Sequence, residues 1–106
     1  MLVRSDLTAA QQFVQACHAA HEAGIFFGNP DHISSLVLCT VPDEAALRDA
    51  SRRLQLRGIR FSLFQEPDME NQATALATEP IPGPLRKVFS KYPLWKELKE
   101  IQHEHA

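Results

Sequence analysis

Four polar side chains, Gln11, Gln15, His18 and Glu22, recur at the spacing of one helix face. Positions three, four or seven apart share one side of an α-helix, so two amides, an imidazole and a carboxylate form a single stripe. An imidazole can take or give a proton, and an amide can both donate to and accept from a ligand. The stripe can therefore bind or process a polar ligand, or be only a wetted face. Opposite it, Ala10, Phe13, Val14, Cys17, Ala20 and Gly24 read as core-facing. Glu66 and Asp68 flank Pro67, where they can orient a water, hold an amine or simply shape a turn. Arg48, Arg52, Arg53, Arg57 and Arg60 cluster in one stretch and suit bidentate phosphate contacts. Glu44 and Asp49 stand one helical turn before Arg48 and Arg53, the favourable order for ion pairs, which leaves Arg57 and Arg60 for a ligand.

The elements that must position these residues follow from pattern and punctuation. Leu2-Val3-Arg4 is a short strand, and Thr8 with Gln11 makes a capping box that opens a helix ending at Gly24. Gln11 is accounted for by that cap as well as by ligand binding. Ile25 to His32 reads as a loop whose Phe26 and Phe27 pack inward. Leu36 to Val41 is a nearly continuous apolar run, suited to a strand covered on both faces. Pro42-Asp43 opens a second helix with Leu47, Ala50 and Leu54 inward, ended by Gly58. Ile59 to Gln65 alternates as a strand, Glu66 to Asn71 turns, and Ala73 to Thr78 is the last strand. Beyond Pro80, Pro82 and Pro84, Leu85, Val88, Phe89 and Tyr92 recur at helical spacing. Pro93 interrupts that pattern, and Leu94, Leu98 and Ile101 resume it. The order is α/β and predicts a mixed four-stranded sheet flanked by helices. Residues 1–92 form the core of a single domain and 93–106 a C-terminal helical extension.

Composition narrows the partners. A chain of 106 residues, 44% hydrophobic, supports one core. A net charge of −2 gives no global attraction to nucleic acid or to an anionic membrane, so any RNA contact must be local. Lys87, Lys91, Lys96 and Lys99 offer a second basic strip, diluted by Glu97 and Glu100. No apolar run approaches the ~20 residues a membrane helix needs, and the N-terminus has no hydrophobic signal core. Cys17 and Cys39 are expected as reduced core thiols in a cytoplasmic protein. Cys17 and His21 lie one turn apart without a third ligand, so neither a metal nor another cofactor is expected. The apolar stripe of the C-terminal segment needs a partner, its own sheet or a second copy in a homodimer, with Trp95 as anchor.

Two separated motifs carry a resemblance. Arg4, Asp6 and Leu7 lead into the helix bearing Gln15, His18 and Ala19, and Thr74-Ala75-Leu76-Ala77 is followed by Pro80. Together they resemble the opening and closing motifs of the type 2 peptidyl-tRNA hydrolases over roughly positions 2 to 90. The resemblance implies that family's fold and cleavage of the ester joining a peptide to the terminal ribose of tRNA. In that role His18 is base or donor, Gln15 and Thr74 are donors, and Glu66 or Asp68 orients water. Outside the resemblance, Thr74 is an ordinary strand former. Gln11 stands where the family has a lysine, Ala10 where it has a glycine, and Glu79 where its closing strand has a glycine. Glu66-Pro67-Asp68 takes the place of its Asp-Ala-Gly turn. Two readings stay open: an ester hydrolase, and a non-catalytic module on the same fold that binds RNA, a nucleotide-like ligand or a protein.

Overall fold

The computed structural model describes residues 1–28 and 36–96. The elements are β1 (Leu2–Arg4), α1 (Ala9–Phe27), β2 (Cys39–Val41), α2 (Glu44–Leu56), β3 (Phe61–Glu66) and β4 (Gln72–Thr78), then a 3₁₀ segment at Gly83–Phe89. The strands make one mixed four-stranded sheet in the order β2-β1-β4-β3. β1 runs parallel to β2 and antiparallel to β4, which pairs antiparallel with β3. The α/β class and the four-stranded mixed sheet agree with the pattern of the sequence.

Side chains of β1 alternate between two cores, so Leu2 goes to one face and Val3 to the other, both fully buried. The α2 face is built from Leu47, Ala50 and Leu54 against Leu2, Val41 and Leu76. Asp43 caps α2 through the Ala46 N–H at 2.8 Å, and the inward residues fall where a 3.6-residue period puts them. Each leucine so buried contributes about 2 kcal/mol.

α1 is turned the other way from expectation. Its buried residues are Gln12, Gln15, Ala16, Ala19 and Ala23, while Phe13, Val14 and Cys17 are exposed. Alanines of the helix meet Ala75 and Ala77 of β4, a small-on-small contact that lets the helix lie close to the sheet. The expected core stripe is therefore the outer one, and Cys17 is a surface thiol. α1 also continues through Ile25 to Phe27, because Gly28, at φ 73°, closes it by donating its N–H to Gly24 O at 3.1 Å. Phe26 faces solvent instead of packing inward, and Phe27 is half-buried.

β2 is shorter than the apolar run suggested, with Leu36 exposed, and it lies at a sheet edge. Its outer side is covered by an extended segment. Thr40 N–H donates to Pro93 O and Trp95 N–H to Leu38 O, both at 2.9 Å, with Leu94 bridging Cys39. Pro93 to Trp95 thus forms an edge ribbon where a helix was expected; Leu98 and Ile101 lie outside the described residues. The helix expected over Leu85 to Tyr92 is the 3₁₀ segment, with Leu85 N–H bonded to Pro82 O and Tyr92 N–H to Phe89 O. Val88, Phe89 and Tyr92 pack on the α2 face. Spacings of three residues fit a 3₁₀ turn as well as an α-helix, and the flanking prolines favour the shorter form. Among the described residues, no helix is long and apolar enough to cross a membrane.

Candidate functional site

A β-bulge builds the site. Phe64 pairs with Ala75 but Gln65 pairs with Ala73, so β4 carries one extra residue, Thr74, at this step. Ala73 belongs to the α2 core and Ala75 to the α1 core. The interrupted alternation turns Thr74 toward α1, where its hydroxyl donates to Gln15 Oε1 at 2.7 Å. Gln15 Nε2 in turn donates to Glu66 Oε1 at 2.9 Å. Direction is fixed by chemistry: an ionised carboxylate only accepts, so the amide NH₂ faces Glu66, its oxygen faces Thr74, and the threonine must donate. Thr74 is 0% and Gln15 4% exposed, so neither can touch a ligand unless α1 lifts from the sheet. The chain Thr74–Gln15–Glu66 therefore presents only Glu66 at the surface.

Glu66 is held at both oxygens. Oε1 takes the Gln15 bond, and Oε2 caps the 3₁₀ turn Pro67–Met69 through the Asp68 N–H at 3.3 Å. Its carboxyl lies below the ordinary range, chiefly through the Gln15 bond and then the Asp68 N–H. Partial burial opposes these two, and the charge of His18 adds to them. At neutral pH it is a fixed anion. His18, one turn beyond Gln15, stacks face to face on Phe64 with ring centroids 4.5 Å apart and 4° between planes. Stacking fixes the imidazole by its face, and among the described residues no hydrogen bond uses either ring nitrogen.

His18, Gln15, Glu66 and Thr74, separated by up to 59 positions in sequence, thus share one side of the sheet. The other expected residues do not join them. Gln11 is spent on the helix cap, accepting from Thr8 N–H at 3.0 Å while its own N–H donates to Thr8 Oγ1 at 3.2 Å. Asp68 contributes its backbone N–H to Glu66, and its side chain is exposed. Arg60, expected to be free for a ligand, is paired: its backbone N–H and Nε donate to the two oxygens of Glu79 at 2.8 and 3.1 Å, and its guanidinium lies 5.3 Å from the Phe27 ring. Arg57 sits at the C-cap of α2, on the opposite face of the sheet. The ion pairs Arg48–Glu44 and Arg53–Asp49 form as expected.

Three residues gain roles that the sequence did not disclose. Arg4 is buried and makes a two-pronged pair with Asp6 at 2.8 and 2.9 Å, while Nη1 reaches Gln72 Oε1 and Ala73 O at 2.8 and 3.2 Å. The Arg-x-Asp motif is thus a clamp joining the end of β1 to the start of β4, just before the bulge. Gln12 donates to Leu7 O at 2.7 Å and accepts from Trp95 Nε1 at 2.6 Å, so Trp95 anchors within its own chain. Glu22 accepts from the Ser62 hydroxyl of β3. The signal for Gln12 was present: Gln12, Gln15, Ala16, Ala19 and Ala23 recur at helical spacing, but as amides and small residues instead of large apolar ones. Compared with known proteins, the chain matches no family model and no curated protein.

Proposed function

We propose that the chain is a peptidyl-tRNA hydrolase type 2-like protein that cleaves the ester between a peptide and the terminal ribose of tRNA, or a related aminoacyl ester. The observation that supports this is the meeting of Gln15, Glu66 and Thr74 in one hydrogen-bonded chain beside His18. Glu66, anionic and immobilised, orients a water by accepting a hydrogen bond from one of its O–H groups, whose proton stays on the oxygen throughout. His18 takes the other proton as the water oxygen attacks the carbonyl carbon. It then passes that proton to the departing ribose oxygen, leaving a free hydroxyl and a peptide acid. Gln15 and Thr74 are positioning residues, because they reach the reaction only through Glu66.

Turnover by this arrangement is slow. Thr74's proton is directed at Gln15, and Gln11, its oxygen engaged in the cap, offers only a neutral amide N–H, so the developing oxyanion lacks a charge-assisted donor from these residues. A missing donor of this kind costs about 3 kcal/mol, or roughly a hundredfold in rate. Purified protein is expected to release peptide from peptidyl-tRNA, and His18→Ala to abolish the release. Gln11→Lys, which puts a cation one turn before Gln15, is expected to raise the rate about tenfold. No release above buffer at high protein concentration overturns the hydrolase reading. The burial of Thr74 favours a second reading, a non-catalytic module on the same fold that binds RNA, a nucleotide-like ligand or a protein. Retention of tRNA without turnover, lost in His18→Ala, is its signature.

A further inference from the structure

Away from the Glu66 site, on the α2 side of the sheet, the end of α2 and the 3₁₀ segment enclose an open cavity of about 360 Å³. Four cations line it: Arg53 from α2, Arg57 from its C-cap, Lys87 from the 3₁₀ segment and Lys91 from the turn after it. Leu56, 88% exposed, and Val88 supply an apolar wall, and Ser90 adds a hydroxyl. Arg53 and Arg57 stand one α-helical turn apart, an arrangement that repels itself. Cations at a helix C-terminus complement its dipole, which accounts for Arg53 and Arg57. It does not account for Lys87 and Lys91, which a separate segment brings to the same cavity. Among the described residues, Asp49 pairs with Arg53 and also with Arg52, and Arg57, Lys87 and Lys91 have no carboxylate within 4 Å. This concentration of positive charge stands out in a chain of net charge −2.

We propose that this cavity binds the diphosphate group of a small molecule, with Arg57 and Lys87 as its principal contacts from the two sides. Arginine offers a planar fork to phosphate oxygens, and lysine a mobile point charge. The volume lies at the lower end of small-ligand sites, and the apolar wall can take an organic tail. The site is separate from the hydrolase reading and stands or falls without it.

The test is calorimetric titration of the full chain with inorganic pyrophosphate and with adenosine diphosphate, against sulfate at matched ionic strength. Pyrophosphate is expected to bind with a dissociation constant of roughly 1 mM or tighter and to raise the melting temperature, and sulfate to bind at least about tenfold more weakly. Tighter binding of the nucleotide than of pyrophosphate assigns the difference to the Leu56–Val88 wall; equal binding confines recognition to the phosphates. Arg57→Gln/Lys87→Gln is expected to lose at least about tenfold in affinity. The same variant, without ligand, should melt within a few degrees of the parent, because both side chains are exposed and the lost dipole contact is offset by relieved like-charge repulsion. His18→Ala should bind pyrophosphate as the parent does. Equal binding by parent and double variant overturns the proposal, as does sulfate binding as tightly as pyrophosphate.

Discussion

The two faces of the sheet are covered by helices that obey different rules. α2 buries leucines at Leu47 and Leu54 and pairs its charges along the outside, Arg48 with Glu44 and Arg53 with Asp49. α1 buries amides and alanines and leaves Phe13, Val14, Ile25 and Phe26 outside. On the α2 face the hydrophobic effect chooses which side turns inward. On the α1 face the choice is made by fit and by hydrogen bonding. Small residues allow close approach, and each buried amide finds partners for its polar atoms: Gln12 with Leu7 and Trp95, Gln15 with Glu66 and Thr74. Among the described residues, no buried side-chain nitrogen or oxygen lacks a partner. The face that gave up apolar burial is also the one that carries the candidate site.

The contrast makes graded predictions. Leu54→Ala, on the α2 face, should destabilise by about 2–5 kcal/mol in chemical denaturation, through lost transfer free energy and a cavity. A loss below about 1 kcal/mol would mean that α2 is not held by its leucines. Thr74→Val, on the α1 face, keeps shape but leaves Gln15 Oε1 buried without its donor, and should cost about 1–3 kcal/mol. Thr74→Ser should recover most of that, since the hydroxyl is what Gln15 needs. Equal stability of the valine and serine variants would remove the hydrogen bond from the account.

Proton linkage separates the faces more finely. Asp6 is held below the ordinary carboxylate range chiefly by Arg4's donated bond, Glu44 by the Ala73 N–H, Glu66 by Gln15, and Glu79 by the Arg60 N–H. For each, the folded state binds the proton more weakly than the unfolded chain does. Their stabilisation is therefore complete above the unfolded range near ~4, and is lost as pH falls through it toward the lower folded values. Urea titrations at stepped pH should show a plateau from neutrality down and a decline in acid. Gln15→Leu should raise the Glu66 pKa, followed by NMR of its carboxyl carbon, while leaving that of Glu44 on the other face unmoved. A Glu66 value unchanged by Gln15→Leu would break the proposed chain. The smallest effect is expected outside: Ile25→Ser should change stability by no more than about 0.5 kcal/mol, because the outer stripe of α1 packs on little.

What could be read in advance follows the same division. The order of the four strands and the first two helices, the Thr8–Gln11 cap and the inward face of α2 were legible because each depends on local pattern. The inward face of α1 was not. Phe13 and Val14 look like core residues to any scale that ranks by hydrophobicity, and nothing local says that Ala75 and Ala77 of β4 will present an alanine surface to the helix. The motif pointed to Gln15, His18 and Thr74, and they do lie together, but the bulge that turns Thr74 to α1 is a property of pairing between strands and leaves no mark in the sequence. Arg60 looked unpaired because its partner Glu79 is 19 residues away in sequence and one strand across in space. The ribbon at Pro93 to Trp95 hid behind apolar spacing that also suits a helix.

The measurement that bears most directly on the site is single-turnover peptide release from peptidyl-tRNA by the parent, by Glu66→Gln, and by the Glu66→Gln/Gln15→Leu pair. If Glu66 orients the water and Gln15 acts only by holding Glu66, the single variant falls about a hundredfold below the parent and the double variant falls no further. Equal rates for parent and Glu66→Gln, or a further large drop on adding Gln15→Leu, would contradict the account.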